Sequence, residues 1–344
     1  MISILCTSPL HIMTAIAIKN EYYIDKEVSL ILLDYSYNIG EMIPRIKKTN
    51  IFYNVYFIHA KDIFIKYNSR KSFMFYFLVN GKKIITQSGL ELKKIDELLF
   101  PYRDPITTVI AKYLGDNCKY IYFDDGIASY VDPNVVICQH PSRIEHNVFS
   151  ITDEYYNPKV GYFFSPELSE ISIEKRKIEI PRSTDYIDIV NYVFGYENFP
   201  SRKVIVFDQC DNTTQDTGMD KDEVYSLISY IKKAFDIKDV YVKKHPKRTG
   251  VYYEAAGLDI LPVKSGVPFE VCILNEKNIN ELVLVSDFST ASFMPGLLFD
   301  AKPRLIFLYH SMNFYKEKEK IEFDKFIKKF KMLYSEDDEI TLVD

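Results

Sequence analysis

Apolar positions fall along this chain in two alternating rhythms. Short runs rich in β-branched residues recur at Ile2–Cys6, Val28–Leu33, Val55–Ile58, Lys119–Phe123, Val204–Phe207, Val240–Val242, Leu282–Val285 and Leu305–Leu308. Several are apolar at nearly every position, which suits strands buried on both faces of a parallel sheet. Helical patterns lie between them at Leu10–Lys19, Ile106–Leu114, Lys221–Phe235 and Ala291–Phe299. Alternation of this kind predicts an α/β chain built from parallel crossover units. The stretch from about Ile180 to Ser201 reads as irregular, carries Pro181, Gly195 and Pro200, and precedes a fresh strand at Lys203. It marks a boundary between two Rossmann-type domains, 1–195 and 196–344, with a cleft expected between them. Ligands of such sheets bind beyond the carboxyl ends of the strands, so the segments after each strand are where chemistry is sought.

Composition narrows the class. At about 150 residues per domain, 344 residues agree with two domains, and 12 Gly and 15 Pro exclude collagenous chains. The apolar share of 47% excludes a disordered chain and is ample for two cores. Charge is 43 − 48 = −5, which argues against nucleic acid as a partner. Five cysteines (Cys6, Cys118, Cys138, Cys210 and Cys272) are scattered, with no C-x-x-C pair. That pattern suits a reducing compartment and gives no zinc signature. The opening Met-Ile-Ser-Ile-Leu-Cys has no basic region of a signal peptide. The longest apolar run noted, Phe73–Val79, falls well short of the roughly 20 residues that span a bilayer. The expectation is a cytoplasmic protein, either soluble or attached peripherally to the inner face of the cell membrane. The 27 Tyr and 24 Phe, with no Trp, are read as base composition and core packing, because no candidate segment depends on an aromatic side chain.

Four strand-end segments carry candidate chemistry. Cys6-Thr7-Ser8-Pro9-Leu10-His11 follows the first strand. Ser8 or Thr7 can cap the next helix, Pro9 suits its first turn, and His11 stands where it can face a cleft. Tyr122-Phe123-Asp124-Asp125-Gly126 ends another strand. Paired carboxylates there are costly unless hydrogen-bonded or used, and one can serve as a base toward a sugar hydroxyl; the same triplet is also a common turn. Lys243-Lys244-His245-Pro246-Lys247-Arg248 sets an imidazole among cations, a setting for an anion such as phosphate, or simply a solvated basic loop. Ser286-Asp287-Phe288-Ser289-Thr290 precedes a helix whose first amides and hydroxyls can cradle a phosphate, or only cap it. The other His-Pro, His140-Pro141, lacks the basic setting and reads as loop.

In combination these segments resemble bacterial sialyltransferases, which share an acidic-acidic-Gly motif, a His-Pro motif and a Ser/Thr motif in this order. The chain looks most like glycosyltransferase family 52, which includes lipooligosaccharide and capsule sialyltransferases. The opening Cys-Thr-Ser-Pro-Leu-His is similar to that family's first strand and loop, where Gln is more usual at the His11 position. The resemblance spans most of the chain as short islands. It implies a GT-B-like fold and an inverting transfer of sialic acid from CMP-sialic acid to a sugar hydroxyl of a galactoside or sialoside. It also implies that no metal or cofactor is needed.

The resemblance assigns roles. His245 would meet the leaving phosphate as acid or hydrogen-bond donor. Lys243, Lys244, Pro246, Ser289 and Thr290 would hold the CMP donor. Ser8, His11, Asp124 and Gly126 would line the acceptor side. In family 52 the base candidate lies after the first strand of the second domain, where Asp220 matches best; an N-cap is its alternative reading. In other sialyltransferase families the base comes from the acidic motif, here Asp125 or Asp124.

Two competing readings stand beside this one: a glycosyltransferase of the same fold using another nucleotide sugar, and an inactive glycan-binding scaffold. The segment Lys316–Lys331 reads as an amphipathic helix. It either packs back on the N-terminal domain or offers a basic face to the membrane for lipid-linked acceptors. A homodimer is left open.

Overall fold

The structure, a computed structural model, describes residues 1–35, 39–61, 70–131, 151–198, 202–208, 221–245, 250–264, 266–311, 316–333 and 340–343. The chain divides into two compact units, Met1–Phe194 and Gly195–Asp344.

In the first unit, β1 (Ile2–Cys6), β2 (Val28–Leu33), β3 (Asn54–Ile58), β4 (Glu97–Phe100), β5 (Lys119–Phe123), β6 (Val160–Phe163) and β7 (Glu174–Lys177) form one sheet. Its order is β3-β2-β1-β4-β5-β6-β7, and every pairing is parallel. Ile4 sits beside Leu30 on one side and Leu99 on the other. β2 is buried at every position, Ser29 included, as its mostly apolar sequence requires when helices cover both faces. The longer helices are α1 (Pro9–Tyr22), α2 (Ile39–Thr49), α3 (Arg70–Gln87), α4 (Pro105–Leu114) and α5 (Thr184–Phe194).

The chain grows outward from β1 through β2 to β3, then returns to add β4 on the other side of β1. Segments leaving β1 and β4 therefore diverge, and the carboxyl ends of these strands face an opening at a topological switch point.

The second unit repeats the plan. Strands β8 (Val204–Phe207), β9 (Val240–Lys243), β10 (Asp259–Ile260), β11 (Val283–Ser286), β12 (Arg304–Phe307) and β13 (Ile340–Leu342) form a parallel sheet in the order β10-β9-β8-β11-β12-β13. Its switch point lies between β8 and β11. The accompanying helices are α6 (Lys221–Ala234), α7 (Phe269–Asn275), α8 (Thr290–Phe299) and α9 (Glu317–Phe330).

Three expectations change. The segment from about Ile180 to Ser201 is not irregular throughout: α5 occupies its middle, with Tyr186, Val190, Val193 and Phe194 buried on one face. The Tyr186 hydroxyl donates to the Met13 carbonyl at 3.1 Å, and Arg45 Nε donates to the Val193 carbonyl at 2.7 Å, so tertiary contacts anchor the helix. Five strands lie outside the expected set: β4 (Glu-Leu-Leu-Phe) and β6 (Val-Gly-Tyr-Phe) are short apolar runs, β10 and β13 span only two and three residues, and β7 is charged. β7 is the sequence Glu-Lys-Arg-Lys on the edge of its sheet, where charge discourages further strand addition. Finally, most of the apolar stripe of α9 is covered, although Ile321 stays exposed. Phe326, Ile327 and Phe330 are buried, Phe323 stacks on Phe288 with centroids 3.7 Å apart, and Phe330 meets Phe293 edge-on. Its amphipathic pattern is largely satisfied inside the second unit. Among the described residues no helix is long and apolar enough to cross a membrane.

Candidate active site

The first unit brings together two segments that are far apart in sequence. Ser8 is the N-cap of α1, with extended backbone, and its hydroxyl accepts the His11 amide at 3.3 Å. That cap, with Pro9 in the first turn, directs the His11 side chain inward, where it is 1% exposed. Nδ1 of His11 lies 3.2 Å from the Thr7 amide nitrogen and 3.0 Å from the Thr7 hydroxyl. Nε2 lies 2.6 Å from Oδ1 of Asp125. Phe123 packs edge-on to the imidazole, and the Tyr102 hydroxyl donates to Thr7 Oγ1 at 2.9 Å.

The two adjacent aspartates do different work. Asp124 is fully buried. Its Oδ1 accepts the Gly126 amide at 2.8 Å, and its Oδ2 accepts the Phe164 amide at 3.1 Å together with the Tyr130 hydroxyl. Burial outweighs these donors and pushes its pKa up to about 7. Asp124 therefore ties the end of β5 to the end of β6. Asp125 keeps 25% of its side chain exposed, and Oδ2 has no hydrogen-bond partner among the described residues. Gly126 has φ of 88°, a left-handed conformation that costs a side chain strain.

In the second unit the described candidates sit at the ends of three neighbouring strands, β9, β8 and β11. Asp208, just past β8, is 3% exposed. Its amide donates to the Lys243 carbonyl at 3.0 Å, its Oδ2 accepts the His245 amide at 3.3 Å, and its Oδ1 accepts the Tyr253 hydroxyl at 2.8 Å. It thereby fixes the backbone beneath His245, which is partly exposed. Lys244 reaches the Gly250 carbonyl at 2.8 Å and Glu254 at 2.9 Å, so its ammonium braces this loop. Lys243 is partly exposed and favours the charged form of Glu270, a buried acid in α7 whose pKa burial pushes up.

Ser289 is the N-cap of α8, yet its hydroxyl makes no capping hydrogen bond. Ser286 holds the turn instead, accepting the Ser289 amide at 3.2 Å and the Ser292 hydroxyl at 2.9 Å. Ser289 and Thr290 are both partly exposed at the helix N-terminus. The capping alternative thus accounts for Ser8 but not for Ser289.

Asp220 and Pro246 lie outside the described residues, as do His140 and Pro141. Ser8 and Asp125 reach the surface in part, whereas His11, Asp124 and Gly126 are buried and so back the loop rather than face an acceptor. Sequence reasoning passed over Tyr102, Tyr130, Asp208 and Tyr253. The available signal for Asp208 is an acid directly after the all-apolar strand Val204–Phe207, as Asp124 also directly follows a strand. The tyrosines correct the reading of aromatic content, since three of them donate to Thr7, Asp124 and Asp208. Among the described residues, no group of three or more His, Cys, Asp or Glu could hold a metal ion.

Solved structures share this architecture at low identity. The GT-B domain of a sialyltransferase from Photobacterium damselae superposes with a TM-score of 0.53 at 12% identity, covering 99% of this chain and 100% of that one. TcCGT1, solved with UDP, gives 0.51 at 8% identity over 100% of this chain and 85% of that one. Arabidopsis thaliana UGT89C1, solved with UDP, gives 0.50 at 9% identity over 89% and 79%. At such identities the likeness is one of fold: the chain has two Rossmann-type units of the GT-B kind. No protein-family model and no curated protein matches the sequence.

Proposed function

We propose that this chain is an inverting glycosyltransferase that moves sialic acid from CMP-sialic acid to a hydroxyl of a glycan acceptor. The observation that carries the reading is the division of labour at Asp124-Asp125. One carboxylate is buried and holds the loop, and the next is presented at the carboxyl end of β5. A plain turn needs no second, buttressed acid. The order of motifs along a GT-B chain supports the choice of donor.

In this scheme Asp125 takes the proton of the acceptor hydroxyl as its oxygen bonds to the anomeric carbon. The bond from that carbon to the CMP phosphate oxygen breaks, and its electron pair leaves with CMP. His245 donates to the departing phosphate. Ser289, Thr290 and the amides opening α8 stabilise its charge, with Lys243 adding positive potential. The scheme asks for no metal. Asp220 is the alternative base. A positioned base is worth about 10²–10⁴-fold in rate.

The test is incubation of the purified chain with CMP-sialic acid and a panel of galactosides and sialosides, following CMP release, product mass and anomeric configuration. An inverted sialoside, formed about 10²–10⁴-fold more slowly in Asp125→Asn and with a marked loss of rate in His245→Ala, is the expected result. No release of CMP with any acceptor overturns the reading. Turnover of a UDP- or GDP-sugar with CMP-sialic acid untouched replaces the donor while keeping the reaction class.

A further inference from the structure

The contacts around His11 determine its protonation pattern. A backbone N–H can only donate, and the Thr7 amide points at Nδ1 from 3.2 Å, so Nδ1 is an acceptor and the ring proton sits on Nε2. The hydroxyls agree. Tyr102 donates to Thr7 Oγ1 at 2.9 Å, which leaves the Thr7 proton free to point at Nδ1 at 3.0 Å. Burial and the nearby charges of Asp104 and Asp125 keep Tyr102 protonated. Thr7 and His11 are 2% and 1% exposed, so no bulk water competes for these positions. The Nε2–H therefore donates to Asp125 Oδ1 across 2.6 Å.

We propose that His11 is a positioning residue acting as a neutral hydrogen-bond donor. At the end of the chain Tyr102–Thr7–His11, it holds Oδ1 of Asp125 so that Oδ2 is the oxygen presented to substrate. Both ring nitrogens are already occupied, so His11 takes no proton during the reaction; the acceptor's proton goes to Oδ2. The roles of the familiar histidine–carboxylate pair are thus exchanged: the carboxylate reacts and the imidazole orients it. A series of bonds with one direction of donation polarises each member, and a carboxylate held in one rotamer loses less freedom in reaching the transition state. The inference rests on the reading of Asp125 as base.

The polarity of the site also says what can replace the histidine. A glutamine can offer its carbonyl to the Thr7 amide and an amide N–H to Asp125. A phenylalanine fills the space and offers neither.

The experiment uses the full chain with histidine-selective ¹⁵N labelling and steady-state transfer from CMP-sialic acid. Long-range ¹⁵N–¹H spectra, with the His11 signals identified by their loss in His11→Gln, are expected to show the neutral Nε2–H tautomer. His11→Phe is expected to lower kcat by about 10–100-fold, the scale of a misplaced reacting group, with KM for the donor changed less than about threefold. His11→Gln recovers most of that loss. In an Asp125→Asn background His11→Phe adds nothing further, because residues acting through one another are not additive. An imidazolium or an Nδ1–H tautomer overturns the proposal. So does full activity in His11→Phe, or an undiminished effect of that change in the Asp125→Asn background. Absence of sialyl transfer by the unaltered chain sinks the functional reading instead, and the tautomer, read without substrate, then judges the hydrogen-bond assignment by itself.

Discussion

Tyr253 donates its phenolic hydrogen bond to Oδ1 of Asp208 at 2.8 Å, and through that buried carboxylate it steadies the backbone amide of His245. An acid at the end of β8 and a tyrosine after β9 thereby set the position of the imidazole proposed to meet the leaving phosphate. Asp208→Ala leaves the Tyr253 hydroxyl without this acceptor and frees the His245 amide. The expected cost is about 1–3 kcal/mol of stability for losing the buried Tyr253–Asp208 hydrogen bond, with a fall in kcat. Tyr253→Phe removes one hydrogen bond and should cost about 1 kcal/mol. Urea denaturation of both variants checks the order, and an Asp208→Ala chain as stable and active as the parent contradicts it.

Asp124 makes stability depend on pH in a direction opposite to that of a salt-bridged carboxylate. Its pKa rises from the usual 3.8 to about 7 in the folded chain. Between those values the folded state binds a proton that the unfolded state does not. Its contribution is fully present below the lower value and is lost as pH rises toward 7, by at most about 1.4 kcal/mol per pH unit. Asp124→Asn should abolish that dependence, at some cost to the Tyr130 and Phe164 contacts. Denaturation midpoints of the two proteins at several pH values across the window would converge or diverge; parallel curves would refute the assignment.

Ser289 separates binding from folding. Because its hydroxyl makes no capping bond, Ser289→Ala should change stability by no more than about 0.5 kcal/mol. Loss of a hydrogen bond to a charged phosphate is worth about 1.5–3 kcal/mol, so CMP binding should weaken by about 10–100-fold. Thr290→Ala should act in the same direction. Calorimetric titration with CMP measures the effect, and unchanged affinity in the double variant would remove these residues from the donor site.

Gly126 is where the backbone itself is the constraint. With φ at 88°, Gly126→Ala should cost about 1–3 kcal/mol in strain and displace Asp125, since the two share a turn. A drop in both melting temperature and kcat is expected. A variant that melts and turns over like the parent would mean the turn relaxes without moving Asp125.

The tertiary fold was largely legible because its central strands are continuous apolar runs, a pattern that few other structures explain. β7 and β13 were not legible, for the physical reason that edge strands satisfy only one neighbour and tolerate charge or short length. The helix α5 is obscured in the sequence by the flanking breakers Pro181 and Gly195, although Tyr186, Val190, Val193 and Phe194 keep a helical spacing.

The local chemistry was present in the sequence: a strand followed by Asp-Asp-Gly, a His-Pro set among cations, and a Ser-Thr pair before a helix. Which aspartate is anchor and which is presented could not be read there, since neighbours in a chain share a composition but not an environment. The amide of Phe164 and the hydroxyl of Tyr130 decided it by enclosing Asp124. His11 and Asp125 stand 114 positions apart, and only the parallel alignment of β1, β4 and β5 brings them together. Residue types and strand order follow from the order of apolar and polar groups along the chain. Burial, tautomer and the exposed oxygen follow from which distant groups fold against them.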